Sequence, residues 1–151
     1  MNALQWYLTD KDRLKLEVEL MQRSGANFQL CSDEHENLLW RGPLLVCNNY
    51  HSDVRLAYPE NFPHEKIRVY VLSPKLPPVT HHVHEDGQIC YMKDEEWSPD
   101  WTAYAVYLTT IRFLNDFYSG KMRELPPPPI TRVTDRPKLG FLERLEELLF
   151  K

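Results

Sequence analysis

Four short β-type segments in the first half of the chain constrain its fold more than any other feature. They cover residues 28–31, 38–47, 54–58 and 67–72, and the connections between them are short. A parallel pair of strands would need a crossover of a dozen or more residues, so these connections favour an antiparallel meander. A Gly-Pro pair at positions 42–43 interrupts the second segment and predicts a bend or bulge there.

An amphipathic pattern over residues 9–23 predicts an N-terminal helix in front of these strands. Leu14 and Met21 fall on one face at helical spacing, and Thr9 or Asp10 can cap the first turn. A helix of this kind buries its apolar face against the sheet.

A long segment without a regular pattern, residues 73–99, separates the strands from a second helix at residues 100–118. A loop of this length inside a compact domain is usually functional. Ser98 can serve as the N-cap of the second helix, with Pro99 at its first position. Helices segregated from a four-stranded antiparallel sheet make an α+β domain.

The C-terminal part differs in composition from the rest of the chain. We assign residues 1–125 to the domain, residues 126–138 to a proline-rich linker, and residues 139–151 to an extra amphipathic helix. Its leucines, among them Leu142 and Leu145, either cover the surface of the domain or dock a partner or a second copy.

Charge and cysteine content exclude several classes of protein. The net charge is -4 and the basic residues are scattered, which argues against a nucleic-acid partner. The three cysteines include no close pair, so a disulfide framework is not expected. No apolar run approaches the roughly 20 residues of a membrane span, and the first residues lack the pattern of a signal peptide. We therefore expect a cytoplasmic protein without a membrane partner.

Reactive side chains concentrate in the long loop, where residues 80–91 include three histidines and Cys90. A cysteine in a polar loop can act as a nucleophile through its thiolate, and a nearby histidine can accept a proton or donate to an oxyanion. The alternative is a buried and inert thiol, with histidines that cap turns or face solvent.

The same histidines and Cys90 also allow a zinc site, since they could supply four ligands. Against it, His81 and His82 are adjacent and should point in different directions. The His-x-Glu and Cys-x-x-Cys signature of the zinc deaminases is absent from the chain. His82-x-His84 resembles the zinc isopeptidases, but the Ser and Asp that they need downstream are missing. We expect no metal and no cofactor.

Four segments, in order, resemble segments of the ubiquitin-conjugating enzymes. Residues 39–43 (Leu-Trp-Arg-Gly-Pro) resemble their second-strand segment, and residues 58–63 (Tyr-Pro-Glu-Asn-Phe-Pro) resemble their Tyr-Pro-x-x-x-Pro. Residues 86–90 (Asp-Gly-Gln-Ile-Cys) resemble their active-site Gly-x-Ile-Cys, and residues 97–99 resemble their Trp-Ser-Pro. The resemblance extends over roughly residues 9–118 and implies their fold, with the second helix as the crossing helix.

The resemblance further implies that Cys90 accepts an acyl group from the thioester of an activating enzyme and passes it to a lysine. Counting back from Cys90, His82 stands where the eukaryotic enzymes have the asparagine of His-Pro-Asn. His82 is therefore the candidate for oxyanion or loop support, and His84 is the second candidate. Five further residues are assigned to the active-site loop: Asp86, Gly87, Trp97, Ser98 and Pro99.

Two acidic residues, Asp94 and Asp100, could orient the incoming lysine, although they fit a solvated acidic loop equally well. The His-x-His loop resembles the prokaryotic branch of the family, whose members occur beside nucleotide cyclases in CBASS antiphage operons. The expected partners are a nucleotide cyclase or a ubiquitin-like protein as donor, an activating enzyme, and a lysine-bearing target. A non-catalytic adaptor with the same fold is the alternative.

Overall fold

The computed structural model describes residues 4–46, 50–76 and 82–119. Two helices come first, followed by four strands, a short fifth strand, a 3-10 turn and a third helix. In chain order these are α1 (Trp6–Thr9), α2 (Lys11–Arg23), β1 (Gln29–Ser32), β2 (Leu38–Val46), β3 (Tyr50–Ala57), β4 (Arg68–Ser73), β5 (Gln88–Ile89), the 3-10 turn (Asp94–Glu96) and α3 (Ala103–Tyr118). The chain is an α+β domain, as predicted.

The strands form one antiparallel sheet in the order β1-β2-β3-β4-β5. The meander of four strands is confirmed, but the predicted number of strands was one too few. β5 pairs Ile89 with Val69 and Gln88 with Tyr70 at the edge of the sheet. Two residues carry no periodic signal, so tertiary pairing alone defines this strand.

The N-terminal helix is divided at Asp10. The side chain of Asp10 accepts a hydrogen bond from the Arg13 N–H at 3.1 Å, which confirms Asp10 as the cap of α2. The predicted helix is confirmed with a start at Lys11, two residues later than expected, and residues 6–9 form the separate short helix α1, whose Trp6 side chain is buried. α2 packs Leu20 and Met21 into the core.

β2 carries no bulge at Gly42 and Pro43, contrary to the prediction. Its register against β3 is continuous, and the irregularity lies between Asp53 and Val54 of β3 instead. Gly42 is required for another reason: a Cβ there would lie 2.5 Å from the main-chain oxygen of Asn27. The close approach of the main chain at Asn27, and not a bend in β2, explains why position 42 is a glycine.

α3 begins at Ala103, and its cap is Thr102, whose hydroxyl accepts the Ala105 N–H at 3.1 Å. The prediction of Ser98 as cap and Pro99 as first helical residue was therefore wrong. Residues 98–101 form a turn in which the Trp101 N–H donates to the Ser98 carbonyl at 3.1 Å. Burial of the Trp101 side chain keeps this turn on the core and delays the helix.

The hydrophobic core lies between the sheet and the helices. Its fully buried members include Leu56, Ile67, Ile89, Phe113 and Leu114. The predicted linker at 126–138 and the predicted helix at 139–151 lie outside the described residues. Among the described helices, none combines the length and apolarity needed to cross a membrane.

Candidate active site

Cys90 directly follows β5. Residues 82–84 pair with residues 88–90 across a turn, and we call these two paired segments the ribbon. Val83 forms a bridge with Ile89, and the His84 N–H donates to the Gln88 carbonyl at 2.9 Å. The Cys90 N–H donates to the His82 carbonyl at 2.8 Å. This register places Cys90 directly across from His82.

Opposite residues of an antiparallel pair share a face of the ribbon. His82 and Cys90, both half-buried, therefore lie on one face, with a Cβ separation of about 4.5–5.5 Å for such pairs. Val83 and Ile89 point to the other face and are buried in the core. His84 is exposed and is two positions farther along the ribbon, so His82 is the histidine next to Cys90.

Asp86 and Gly87 form the turn of this ribbon and attach it to β4. Gly87 has a φ of +90°, and a Cβ there would lie 2.7 Å from the carbonyl oxygen of Val71. The Val71 N–H donates to the Gly87 carbonyl at 2.9 Å, and the Asp86 side chain accepts the Gln88 N–H at 3.0 Å. Only glycine fits this close, left-handed approach, which explains its presence before the cysteine.

The Cys90 thiol is free and half-buried. Its sulfur lies 3.7 Å from the carbonyl oxygen of Met92, a weak S–H contact. Cys31 is also a free thiol, but it is exposed on β1. Cys47 lies outside the described residues. A half-buried thiol on a hydrogen-bonded ribbon has a defined position and remains within reach of a substrate.

Lys66 contacts the segment that directly follows Cys90, and no sequence pattern predicted this contact. Its ammonium donates to the Met92 carbonyl at 3.1 Å, pairs with the Asp94 carboxylate at 2.8 Å, and lies 5.6 Å from the centroid of the Tyr91 ring. The hydrogen bond and the charge of Lys66 lower the pKa of Asp94. The predicted lysine-orienting acid Asp94 thus already holds a lysine.

Asp100, the other predicted acid, is half-buried in the turn before α3. Within the described part of the chain, its carboxylate makes no polar contact with the Cys90 segment. The structure therefore brings Asp94, but not Asp100, into contact with the residues around the thiol.

Trp97 fixes the chain after the 3-10 turn. Its indole N–H donates to the Pro63 carbonyl at 2.9 Å, and its ring stacks on Trp101 with centroids 6.1 Å apart. Phe62 contacts the edge of the same ring at 6.4 Å. The predicted loop residue Trp97 is thus tied to residues 58–63, another of the segments that carry the resemblance.

Pro99 is held by α2 through Arg13. The guanidinium donates to the carbonyls of Pro99, at 2.7 Å, and of Trp101. Arg13 also pairs with Glu17 at 3.3 Å and lies over the Phe62 ring at 4.9 Å. Ser98 lies within the same turn, and its hydroxyl has no partner among the described residues. The basic side chain of Arg13 on α2 therefore holds the exit of the loop.

Glu17 is a fully buried carboxylate that links α2 to the residue after β3 and to the start of α3. It accepts the Tyr58 hydroxyl at 2.9 Å and the Ala103 N–H at 2.8 Å. The Tyr58 hydroxyl in turn accepts the Trp40 indole N–H at 2.9 Å. Burial raises the pKa of Glu17, although Arg13 and the hydrogen bonds oppose that shift. Burial and the Glu17 charge also raise the pKa of Tyr58 well above 10, so that it remains a donor.

The described residues contain no group of three or more His, Cys, Asp or Glu that could hold a metal ion. His81, one of the histidines weighed as a zinc ligand, lies outside them. Within that part of the chain, His82 lies across from Cys90, and Lys66, which is paired with Asp94, contacts the same Met92 carbonyl as the Cys90 sulfur.

Comparison with solved structures identifies the fold. Twenty-one chains match, among them the ubiquitin conjugating enzyme E2 from Plasmodium falciparum. That match has a TM-score of 0.50 and 19% sequence identity, and covers 76% of this chain and 86% of the other. No family model matches the sequence, and no curated protein is significantly similar to it. The chain therefore has a ubiquitin-conjugating-enzyme-like fold.

Proposed function

We propose that this chain is a ubiquitin-conjugating-like enzyme that carries the C-terminus of a protein as a thioester on Cys90 and transfers it to a lysine. The observation that carries the proposal is the position of Cys90, half-buried at the end of β5 and directly across from His82. The fold supports the same class of activity.

In the first step the Cys90 thiolate attacks the carbonyl carbon of an acyl thioester on an activating enzyme. The new S–C bond forms as the old one breaks, and the other thiol leaves as its thiolate. In the second step a lysine amine attacks the Cys90 thioester and releases the Cys90 thiolate. A thioester suits this step, because a thiolate leaves more readily than an amide nitrogen.

His82 is the residue we assign to the negative charge that develops on the acyl oxygen in both steps. It lies on the face of the ribbon that also carries Cys90, whereas His84 is two residues farther on and exposed. Loss of an oxyanion donor costs about 100- to 1000-fold in rate. We expect a loss of that order for His82→Ala and a much smaller loss for His84→Ala.

Trp97, Ser98 and Pro99 hold the loop after Cys90 on the aromatic core, and we assign them to shielding the thioester from water. Trp97 is hydrogen-bonded to Pro63, and the Pro99 carbonyl to Arg13. A loop fixed at both positions keeps one wall beside Cys90. Water excluded by this wall cannot hydrolyse the acyl group before an amine arrives.

For the donor we propose the C-terminus of a nucleotide cyclase, with a ubiquitin-like protein as the alternative. This choice depends on the His-x-His loop and its resemblance to the prokaryotic, CBASS-linked branch, and so on analogy. The partners would then be an activating enzyme and a lysine-bearing target in the cytoplasm. The segment 126–138 would act as a linker, and 139–151 as a helix that packs on the domain or docks a partner.

The test is intact mass spectrometry after the protein is mixed with a candidate donor, an activating enzyme and ATP. We expect an adduct that reductant removes from the wild type, an oxyester that resists reductant in Cys90→Ser, and no adduct in Cys90→Ala. Cys31→Ala is the matched control, because Cys31 is also a free thiol but is exposed on β1. Conjugate formed by Cys90→Ala would refute the mechanism, and tight binding without any adduct would favour the adaptor.

A further inference from the structure

Lys66 and Cys90 meet at one atom, the carbonyl oxygen of Met92. The ammonium of Lys66 lies 3.1 Å from this oxygen and the sulfur of Cys90 lies 3.7 Å from it. The nitrogen and the sulfur are therefore less than about 7 Å apart.

The Asp94 carboxylate completes this group of side chains. It lies 2.8 Å from the Lys66 nitrogen, and 89% of its side-chain surface is exposed, against 14% for that of Lys66. A carboxylate that accepts a hydrogen bond from the nitrogen holds it in a defined orientation. The three components of the transfer step, sulfur, amine and carboxylate, are thus present within one chain.

We propose that Lys66 is an acceptor in cis: the acyl group carried on Cys90 passes to Lys66 and leaves the chain modified on this lysine. This inference depends on the proposed function. The Lys66 ammonium loses one proton to solvent, the amine attacks the thioester carbon while Asp94 orients the nitrogen, and the second proton passes to solvent as the amide forms. The N–C bond forms, the C–S bond breaks, and sulfur leaves as the Cys90 thiolate. No oxidant, reductant or cofactor is needed.

Proximity gives this transfer its advantage over transfer to a lysine in solution. Well-oriented intramolecular reactions reach effective molarities of 10⁵ M and above. Even with imperfect alignment, we therefore expect transfer to Lys66 to be favoured about tenfold over transfer to a lysine in solution. The lysine stem has four rotatable methylene groups, and a movement of a few ångströms brings the nitrogen to the attack distance of about 3–3.5 Å. The rate should therefore be first-order and independent of protein concentration.

Lys93 is the matched control. It is exposed and closer to Cys90 in sequence than Lys66 is, and of its polar groups only the main-chain carbonyl has a described contact, with the Glu96 N–H. If transfer depended only on closeness in sequence and on exposure, Lys93 would be the preferred site. The geometry favours Lys66.

The experiment uses a synthetic peptide thioester ending in glycine, which loads Cys90 by thioester exchange without an activating enzyme. The full-length protein is incubated with the probe, treated with reductant and digested for site mapping. We expect an adduct on Lys66 that survives reductant in the wild type and in Lys93→Arg. Lys66→Arg should lower the total adduct that survives reductant about tenfold, while the Cys90 adduct measured before reductant treatment persists.

The possible outcomes separate the two proposals. A Cys90 thioester without Lys66 modification, or modification spread equally over Lys66 and Lys93, would overturn this inference and leave the proposed function intact. The absence of any Cys90 thioester would overturn both. Mapping on the wild-type protein requires no variant, so a Lys66→Arg protein that failed to fold would not prevent the decision.

Discussion

The hydroxyl of Tyr58 joins two buried polar groups, so its removal should destabilise the protein far more than the loss of one oxygen atom suggests. Tyr58→Phe keeps the ring and its packing against Trp6 and Phe62. It removes the acceptor of the Trp40 indole N–H and one donor to the Glu17 carboxylate. The ring contacts thus remain while two hydrogen bonds are lost.

The magnitude follows from these two bonds. A buried donor left without a partner costs about 1–3 kcal/mol, and a hydrogen bond to a charged group contributes about 1.5–3 kcal/mol. We therefore expect Tyr58→Phe to lower the free energy of unfolding by about 2.5–6 kcal/mol. With an m-value of about 2 kcal/mol/M in urea, the midpoint would fall by about 2 M.

The assay is urea denaturation followed by tryptophan fluorescence, with Tyr70→Phe as the matched control. Tyr70 carries the Arg55 guanidinium over its ring at 4.7 Å, and its hydroxyl has no hydrogen bond among the described residues. The control should change stability by less than about 0.5 kcal/mol. In a Glu17→Gln background the cost of Tyr58→Phe should fall by about 1 kcal/mol, because the acceptor is then neutral. A loss below about 1 kcal/mol in the wild type would refute the reasoning.

Two further predictions concern Gly87 and Glu17. Gly87→Ala places a Cβ against Val71 at a φ of +90° and should lower the free energy of unfolding by about 2–5 kcal/mol. Gly25→Ala is the control, because Gly25 has a φ of +74° with open space around it, and it should cost about 1–2 kcal/mol. Equal shifts in Tm for the two variants would contradict the close approach at Gly87. Because the folded pKa of Glu17 is raised above 4.5, the native state binds its proton more tightly than the unfolded chain does, so this contribution is full below pH 4.5 and is lost as pH rises through the folded pKa. The stability of the wild type relative to Glu17→Gln should therefore fall as pH rises above 4.5 in urea titrations, and a rise would show that pairing with Arg13 outweighs burial.

The elements that sequence patterns predicted well are those whose apolar residues recur with a period. β1 to β4 and the two longer helices were found within a few residues of their bounds for this reason. The start of α3 was misplaced because Ser98-Pro99 has the local chemistry of a helix start. The residues around Ser98 do not reveal that the Trp101 side chain is buried. They also do not reveal that the Glu17 carboxylate accepts the Ala103 N–H. Tertiary contacts decided which of two possible caps is used.

Sequence patterns indicated only those residues of the candidate site that are close to Cys90 in the chain. Counting back from Cys90 indicated His82, and the ribbon register places the two residues opposite each other. Lys66 and Glu17 were missed, because a charged residue before a strand or on a helix looks like ordinary surface until its partners are known. Their partners are 28 and 86 residues away in sequence, at Asp94 and Ala103. Contacts of that range leave no local signal.

The segments that carry the resemblance consist largely of residues that hold the chain around Cys90 and do not touch its sulfur. Tyr58 binds Glu17, the Pro63 carbonyl accepts the Trp97 indole, and Gly87 fits against β4. Each contact fixes the position of a main-chain segment, and in the proposed mechanism a thioester that must survive until an amine arrives needs such fixed surroundings. The proposed catalytic histidine, His82, can therefore differ from the asparagine of the eukaryotic enzymes while these contacts stay the same. Many residues must act together to position the Cys90 sulfur, whereas a single residue supplies the polar group beside it. A sequence can therefore change that one polar residue and still keep the contacts that position the sulfur.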